Sequence, residues 1–174
     1  GLRDTLNALQ ARGVAAVGCL ESAMGYGGSP IVSAGGFRVG FLAYTVSPTR
    51  PADGGAPLLQ GLDLESARRD VRALAVRCDA VVVSAHFGVE NARYPAPVDI
   101  RLCRQLIDDG AALVVGHHPH VIQGVETWAH GLIAYSLGNF QFVPKRIAWA
   151  DTFALEVTLG HRRVLGHRIH PMRI

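Results

Sequence analysis

Apolar and polar positions alternate along this chain with two different periods. Leu2, Leu6 and Leu9 share one helical face and Gly13 follows, so residues 2–12 read as a helix. Val14–Gly18 reads as a short apolar strand. Ile31–Ser33 and Phe37–Tyr44 read as two strands joined at Gly35-Gly36, a hairpin signal. Residues 47–61 are rich in Pro and Gly and read as a long loop. Asp63 is placed to cap a helix running to about Arg77, with Leu64, Ala67, Val71 and Leu74 inward. Ala80–Ala85 is an unbroken apolar run, as expected of a strand covered on both faces. Pro97 opens another helix, striped by Leu102, Cys103, Leu106 and Ile107 and stopped by Gly110. Ala112–Val115 is a second buried strand. Val121–Thr127, Leu132–Leu137, Phe153–Leu159 and Val164–His170 alternate as antiparallel strands do.

Helices and strands alternate first, and strands alone follow. This order predicts an α/β fold in which a parallel or mixed sheet is extended by an antiparallel one, with helices outside. There are no repeats and no low-complexity linkers, so residues 1–174 read as a single domain. The chain has no initiator Met and its first residues do not resemble a signal peptide, so it reads as part of something longer.

Composition narrows the function classes. Nearly half of the residues are hydrophobic and 18% are charged, which excludes a disordered chain. No apolar run is long enough to span a bilayer. The net charge of +3 is spread along the chain, with some crowding at Arg162, Arg163, Arg168 and Arg173. It is not clustered with aromatics, which argues against nucleic acid as a partner and leaves a mild attraction for anionic substrates. Cys19, Cys78 and Cys103 are odd in number and far apart, so neither a disulfide framework nor a thiolate zinc site is indicated. There is no G-x-S-x-G elbow and no phosphate-binding P-loop, and Gly25–Ser29 reads as a flexible Gly-rich loop.

The chemistry gathers in residues 79–140. Strand Ala80–Ala85 ends at His86, and the helix from Pro97 returns the chain to a strand ending in Gly116-His117-His118-Pro119-His120. A βαβ unit makes these strands parallel neighbours, so His86 and the His cluster are expected to meet at the carboxyl edge of the sheet. Pro119 is expected to hold His118 extended, so that His118 and His120 point to the same side. With His86 they would offer three imidazoles to one ion, of the zinc, iron or manganese class rather than calcium or magnesium. Such an ion would activate a bound water and polarise a phosphoryl or carbonyl oxygen. His130 falls in a turn and is expected to be solvated; His161, His167 and His170 lie in or beside the terminal strands.

The motifs His86-Phe87-Gly88-Val89-Glu90, Tyr94-Pro95, Gly116-His117-His118-Pro119-His120, Gln123-Gly124-Val125-Glu126 and Tyr135-Ser136-Leu137-Gly138-Asn139-Phe140 resemble, in order, those of the CapA family of bacterial capsule-synthesis proteins, grouped with the calcineurin-like metallophosphatases. Asp4-Thr5-Leu6, Pro30-Ile31-Val32 and Phe41–Thr45 extend the resemblance over nearly the whole chain. It implies a four-layered α/β/β/α metallophosphatase-like sandwich whose N-terminal strands are missing here. It implies a part in poly-γ-glutamate or capsule synthesis at the cell envelope, anchored through a missing N-terminal segment, with other capsule-synthesis membrane proteins as partners. The activity implied is metal-dependent hydrolysis or transfer on a phosphate ester or an anionic polymer; the alternative is a non-catalytic envelope protein that binds or exports such a polymer. By position, His86 resembles the family's lone-His ligand, and His118 and His120 its final His-x-His pair, with one or two divalent ions of the Mn, Fe or Zn class. His117 competes with His118 for the register and is the other catalytic candidate beside Glu90, which resembles the acid after the H-x-G turn. Asn139, with Ser136, resembles a turn residue near the site, and Asn139 is a substrate-binding candidate. Phe87 stands where the family often has Trp, and Asp99 where it often has Gln. The family's first ligand blocks, an Asp, a second acidic or amide block and an Asn-Asn-His turn, are expected before Gly1.

Overall fold

The computed structural model describes residues 1–19, 28–47, 59–140 and 150–174. Its frame is a six-stranded sheet in the order β1-β2-β3-β4-β6-β5. The strands are β1 (Ile31–Ala34), β2 (Phe37–Thr45), β3 (Ala80–His86), β4 (Leu113–His117), β5 (Val125–Trp128) and β6 (Gly131–Ala134). The central four run parallel, and β1 and β5 close the two edges antiparallel. A separate antiparallel ribbon is formed by β7 (Asp151–Gly160) and β8 (Arg163–Arg173). The helices are α1 (Leu2–Gln10), α2 (Leu64–Ala75) and α3 (Pro97–Asp108).

Most elements follow directly from local chemistry. The Asp63 carboxylate accepts from the Ser66 backbone N–H at 2.9 Å and so opens α2. Pro97 takes the first helical position of α3, where its missing N–H costs nothing. Gly35 and Gly36 turn the β1–β2 hairpin with φ of 57° and 83°, values only Gly adopts without strain. Val71 and Leu74 of α2 and Cys103, Leu106 and Ile107 of α3 pack on Val81, Val83, Val114 and Ile133 of the sheet. Each large side chain buried there contributes roughly 1.5–3 kcal/mol. The alternate positions Val39, Phe41, Val82 and Val115 lie on the opposite face and are only half-buried.

Four expectations need correction. Val14–Gly18 is not a strand: residues 14–17 have no regular structure, Gly18 turns with φ 90°, and only Cys19 forms a bridge, to Leu59. Val121–Gly124 lies outside β5 and makes a single bridge, Ile122 to Leu137. β6 ends at Ala134, because Tyr135 and Ser136 bend away toward Asn139. The terminal strands β7 and β8 do not extend the main sheet; they pair with each other, and β6 joins parallel to β4. The ribbon is tied to the loop ends instead: Val164 N–H donates to His130 O, and Thr152 Oγ1 donates to Leu137 O at 2.8 Å. Residues 25–27 of the Gly-rich loop and 48–58 of the long loop lie outside the described residues. Among the described residues no helix is long and apolar enough to cross a membrane.

Candidate functional site

β3 and β4 are parallel neighbours in a register that sets His86 beside His117. The crossover through α3 therefore brings both strand ends to the carboxyl edge of the sheet, where open α/β sheets bind ligands. Two backbone bonds stitch the loop after β3 onto the histidine loop: Phe87 N–H donates to His117 O at 3.0 Å, and Asn91 N–H to Pro119 O at 2.8 Å. Gln123 Nε2 adds a third tie to Ala92 O at 2.8 Å. Phe87 and Pro119 are buried beneath this junction. Gly116 is required there: a Cβ would sit 2.1 Å from Tyr135 O.

The imidazoles of His86 and His118 lie 4.8 Å apart, ring centre to ring centre, and those of His118 and His120 lie 6.2 Å apart. The backbone that achieves this is not the extended segment expected. His118 has φ 105° and His120 φ 60°, on either side of buried Pro119. Non-glycine residues held there cost about 1–3 kcal/mol each and persist only where the surroundings impose them. The stitched loop and Asn139 are what impose them here.

Asn139 is buried and grips His120 twice. Its Oδ1 lies 2.8 Å from His120 Nδ1, and its Nδ2 donates to His120 O at 3.3 Å. A carbonyl oxygen can only accept, so the second bond fixes the amide orientation. Oδ1 then faces Nδ1 as an acceptor, and Nδ1 carries the proton. His120 thus turns the lone pair of Nε2 away from Asn139, the tautomer a metal-binding histidine adopts when its other nitrogen is held by an acceptor. Ser136 is fully buried and its Oγ accepts from Gly138 N–H at 3.3 Å, so it orders the turn that carries Asn139.

Partial burial of the ring, then the nearby His118 and His120, hold the pKa of His86 below the usual histidine value. Burial, then His86, does the same for His117. Both groups are thereby kept as neutral imidazole, the ligating and proton-accepting form. Glu90 is exposed on the stitched loop and makes no hydrogen bond or ion pair to the described residues. His161 and His170 lie with acids of their own, Asp79 at 3.5 Å and Glu156 at 2.8 Å, and His130 sits in the β5–β6 turn.

The donor chemistry suits a zinc-, iron- or manganese-class ion, but the set is incomplete. Among the described residues no three His, Cys, Asp or Glu side chains close on one ion position. Asp99, which stands where the family often has Gln, also belongs to this neighbourhood. The Asp99 carboxylate lies 3.9 Å from where a Gly88 Cβ would be, and burial raises its pKa. Apart from the resemblance its signal is an acid in the first turn of α3, which any ordinary helix start shares.

Comparisons with known proteins bear on the family and the fold of the chain. The family model for the bacterial capsule synthesis protein PGA_cap matches residues 1–143. The capsule biosynthesis protein CapA of Bacillus anthracis is 30% identical over 82% of this chain and 36% of its own length. The PGA biosynthesis protein CapA of Bacillus subtilis (strain 168) is 45% identical over 37% of this chain and 17% of its own length. The chain thus spans well under half the length of these curated relatives. Among solved structures, a hypothetical protein from Thermus thermophilus superposes with TM-score 0.52 at 16% identity, over 84% of this chain and 62% of that one. A Staphylococcus aureus protein described as a "Putative 5'-Nucleotidase", solved with alpha-ketoglutarate, superposes with TM-score 0.54 at 14% identity, over 84% of this chain and 29% of that one. At such identities the likeness is one of fold alone, a mixed α/β architecture.

Proposed function

This chain belongs to the bacterial capsule synthesis protein family PGA_cap, and we propose that it contributes the histidine half of a divalent-metal site acting in capsule or poly-γ-glutamate synthesis. The observation that carries the reading is the approach of the His86 and His118 rings to 4.8 Å at the sheet edge, with His120 beside them in a fixed tautomer. His86, His118 and His120 do not close on one position as they stand, so they would be drawn onto one ion or shared between two, with the remaining ligands coming from chain outside the described residues. When bound, the ion would lower the pKa of a water and stabilise charge on a phosphoryl or carbonyl oxygen. Asn139 would keep His120 oriented. His117, held neutral beside His86, would accept or return a proton at the substrate. Glu90, on the loop after β3, would be the other proton-transfer group beside His117. The substrate class is a phosphate ester or an anionic polymer, and the place of action the cell envelope, together with other capsule-synthesis membrane proteins.

The incomplete donor set among the described residues favours one alternative, a non-catalytic protein that binds or exports an anionic polymer. The two readings separate in the full-length protein by paired measurement of metal content and of turnover on p-nitrophenyl phosphate and γ-linked polyglutamate. His120→Ala is expected to lose metal and turnover together, and His130→Ala neither. Full metal and full activity in His120→Ala, or equal losses in both variants, would remove the catalytic reading and leave the binding one.

A further inference from the structure

A groove of about 570 Å³ begins one residue beyond His120, at Val121, and runs past the loop that follows β3. That volume is in the range of sites that enclose a small ligand or a short length of polymer. Its wall is rigidly joined to the histidine loop, because Asn91 N–H bonds Pro119 O and Gln123 bonds Ala92 O, immediately before Arg93 and Tyr94. The charges along it are unequally committed. Arg104 is held by Glu126, which also accepts from Tyr135 Oη at 2.6 Å, and its guanidinium lies 4.1 Å over the Trp128 ring. Asp151 faces Arg173 at 3.7 Å. Arg93 makes no hydrogen bond or ion pair to any described residue, and the Tyr94 ring next to it is 84% exposed. The groove therefore offers one uncommitted guanidinium among its described lining residues, a planar fork matched to carboxylate or phosphate.

We propose that this groove seats an extended, oxyanion-bearing substrate of the histidine site, with Arg93 pairing one carboxylate or phosphate group and Tyr94 covering the segment next to it. The proposal rests on the metal-site reading for the reacting end of the substrate, but its own content is the groove, and the two fail separately. Gly124 gives a steric probe that spares the fold, since a Cβ there meets nothing within 4 Å and its φ is not in the left-handed region.

The test uses the full-length protein, with binding of a γ-linked glutamate oligomer followed by calorimetry and metal content measured on each variant. Arg93→Ala is expected to weaken binding about five- to tenfold, the size of one charge-assisted contact at a half-open site. Arg93→Lys should recover part of it, and Gly124→Leu should weaken binding at least as much as Arg93→Ala. Metal content should stay unchanged in all three. Arg93-dependent binding of the oligomer is a carboxylate contact; its competition by inorganic phosphate shows that the same guanidinium also takes phosphate, and the absence of competition restricts it to carboxylate. Binding of the oligomer unchanged within twofold in Arg93→Ala, or lost equally in the distant control Arg163→Ala, would overturn the groove while leaving the metal site standing. Arg93-dependent binding in a wild-type protein that holds no metal would support the groove and remove the metal reading alone.

Discussion

Replacing Asn139 with Ala separates loop folding from ligand orientation at the histidine site. The substitution removes two contacts to His120, the 2.8 Å bond from Nδ1–H to Oδ1 and the 3.3 Å bond from Nδ2 to the His120 carbonyl. The first is short and partly buried, and leaving its N–H unpaired costs about 1–2 kcal/mol. The second is near the limit of useful length and contributes about 0.5 kcal/mol. The expected loss is therefore about 2 kcal/mol, or a fall in Tm of about 4–8 °C for a domain of this size. Urea unfolding in chelator should show a lower midpoint with an unchanged slope. Metal affinity should drop about 10- to 100-fold, as it does when the group orienting a ligating histidine is removed. Asn139→Asp is the discriminating partner: its carboxylate can still accept from Nδ1–H but cannot donate to the carbonyl. It should keep metal affinity while losing stability. Were Asn139→Ala to lose stability but bind metal as the wild type does, Asn139 would only fold the turn, and the tautomer argument for His120 would be wrong.

Strain at the histidine loop predicts that His118→Gly is more stable than His118→Ala by about 1 kcal/mol, because Gly alone adopts φ 105° freely, and thermal unfolding in chelator measures it; Ala at least as stable as Gly would contradict the backbone described. Gly116→Ala forces a Cβ to 2.1 Å from Tyr135 O and should cost about 3 kcal/mol or more; a loss below about 1 kcal/mol would show that β4 and Tyr135 do not meet. Burial works to raise the pKa of Asp109, but its bonds to Arg68 at 2.6 Å and Arg72 at 2.8 Å prevail and leave it lowered. A carboxylate with a lowered folded pKa contributes stability above its unfolded value of about 3.9 and loses it as pH falls further. Asp109→Asn should thus cost about 1–2 kcal/mol at pH 7, and its urea midpoint should fall less than that of the wild type between pH 5 and pH 3.

The sheet was largely legible because its strands obey one-dimensional rules. Ala80–Ala85 reads as a strand, although only its Val81 and Val83 face is fully buried and Val82 and Ser84 are half-buried, and the helix from Pro97 returns the chain to a parallel neighbour, so His86 and His117 share an edge. The failures have a common cause. Val14–Gly18 and Val121–Gly124 have the composition of strands, but neither is offered a long partner. The first has a bridge only beyond its end, at Cys19, and the second a single one at Ile122, so tertiary context overrides pattern. The position of β7 and β8 was not legible either, because alternation identifies a strand and says nothing about which edge it joins.

The site itself divides along the same line. His86 and His117 are placed by strand ends, and the periodicity that defines a strand also defines where it ends and which residue it leads to. His118 and His120 are placed by a turn that violates the ordinary preference of a residue before proline, so the rule that predicted them extended was the right rule for an unconstrained chain. What overrides it is non-local: the loop after β3 bonded to His117 O and Pro119 O, and Asn139 arriving from beyond β6. A turn that relaxed to the extended form would break the Asn139 contacts and carry the His118 ring away from His86. Positive φ at Ala129 and Arg162 belongs to ordinary hairpin turns, but at His118 and His120 it stands at the ring cluster, and a departure from local preference maintained by two separate segments is what a preorganised binding site requires. The strain is thus a reason to look for a ligand at the histidines that does not depend on the resemblance to any family.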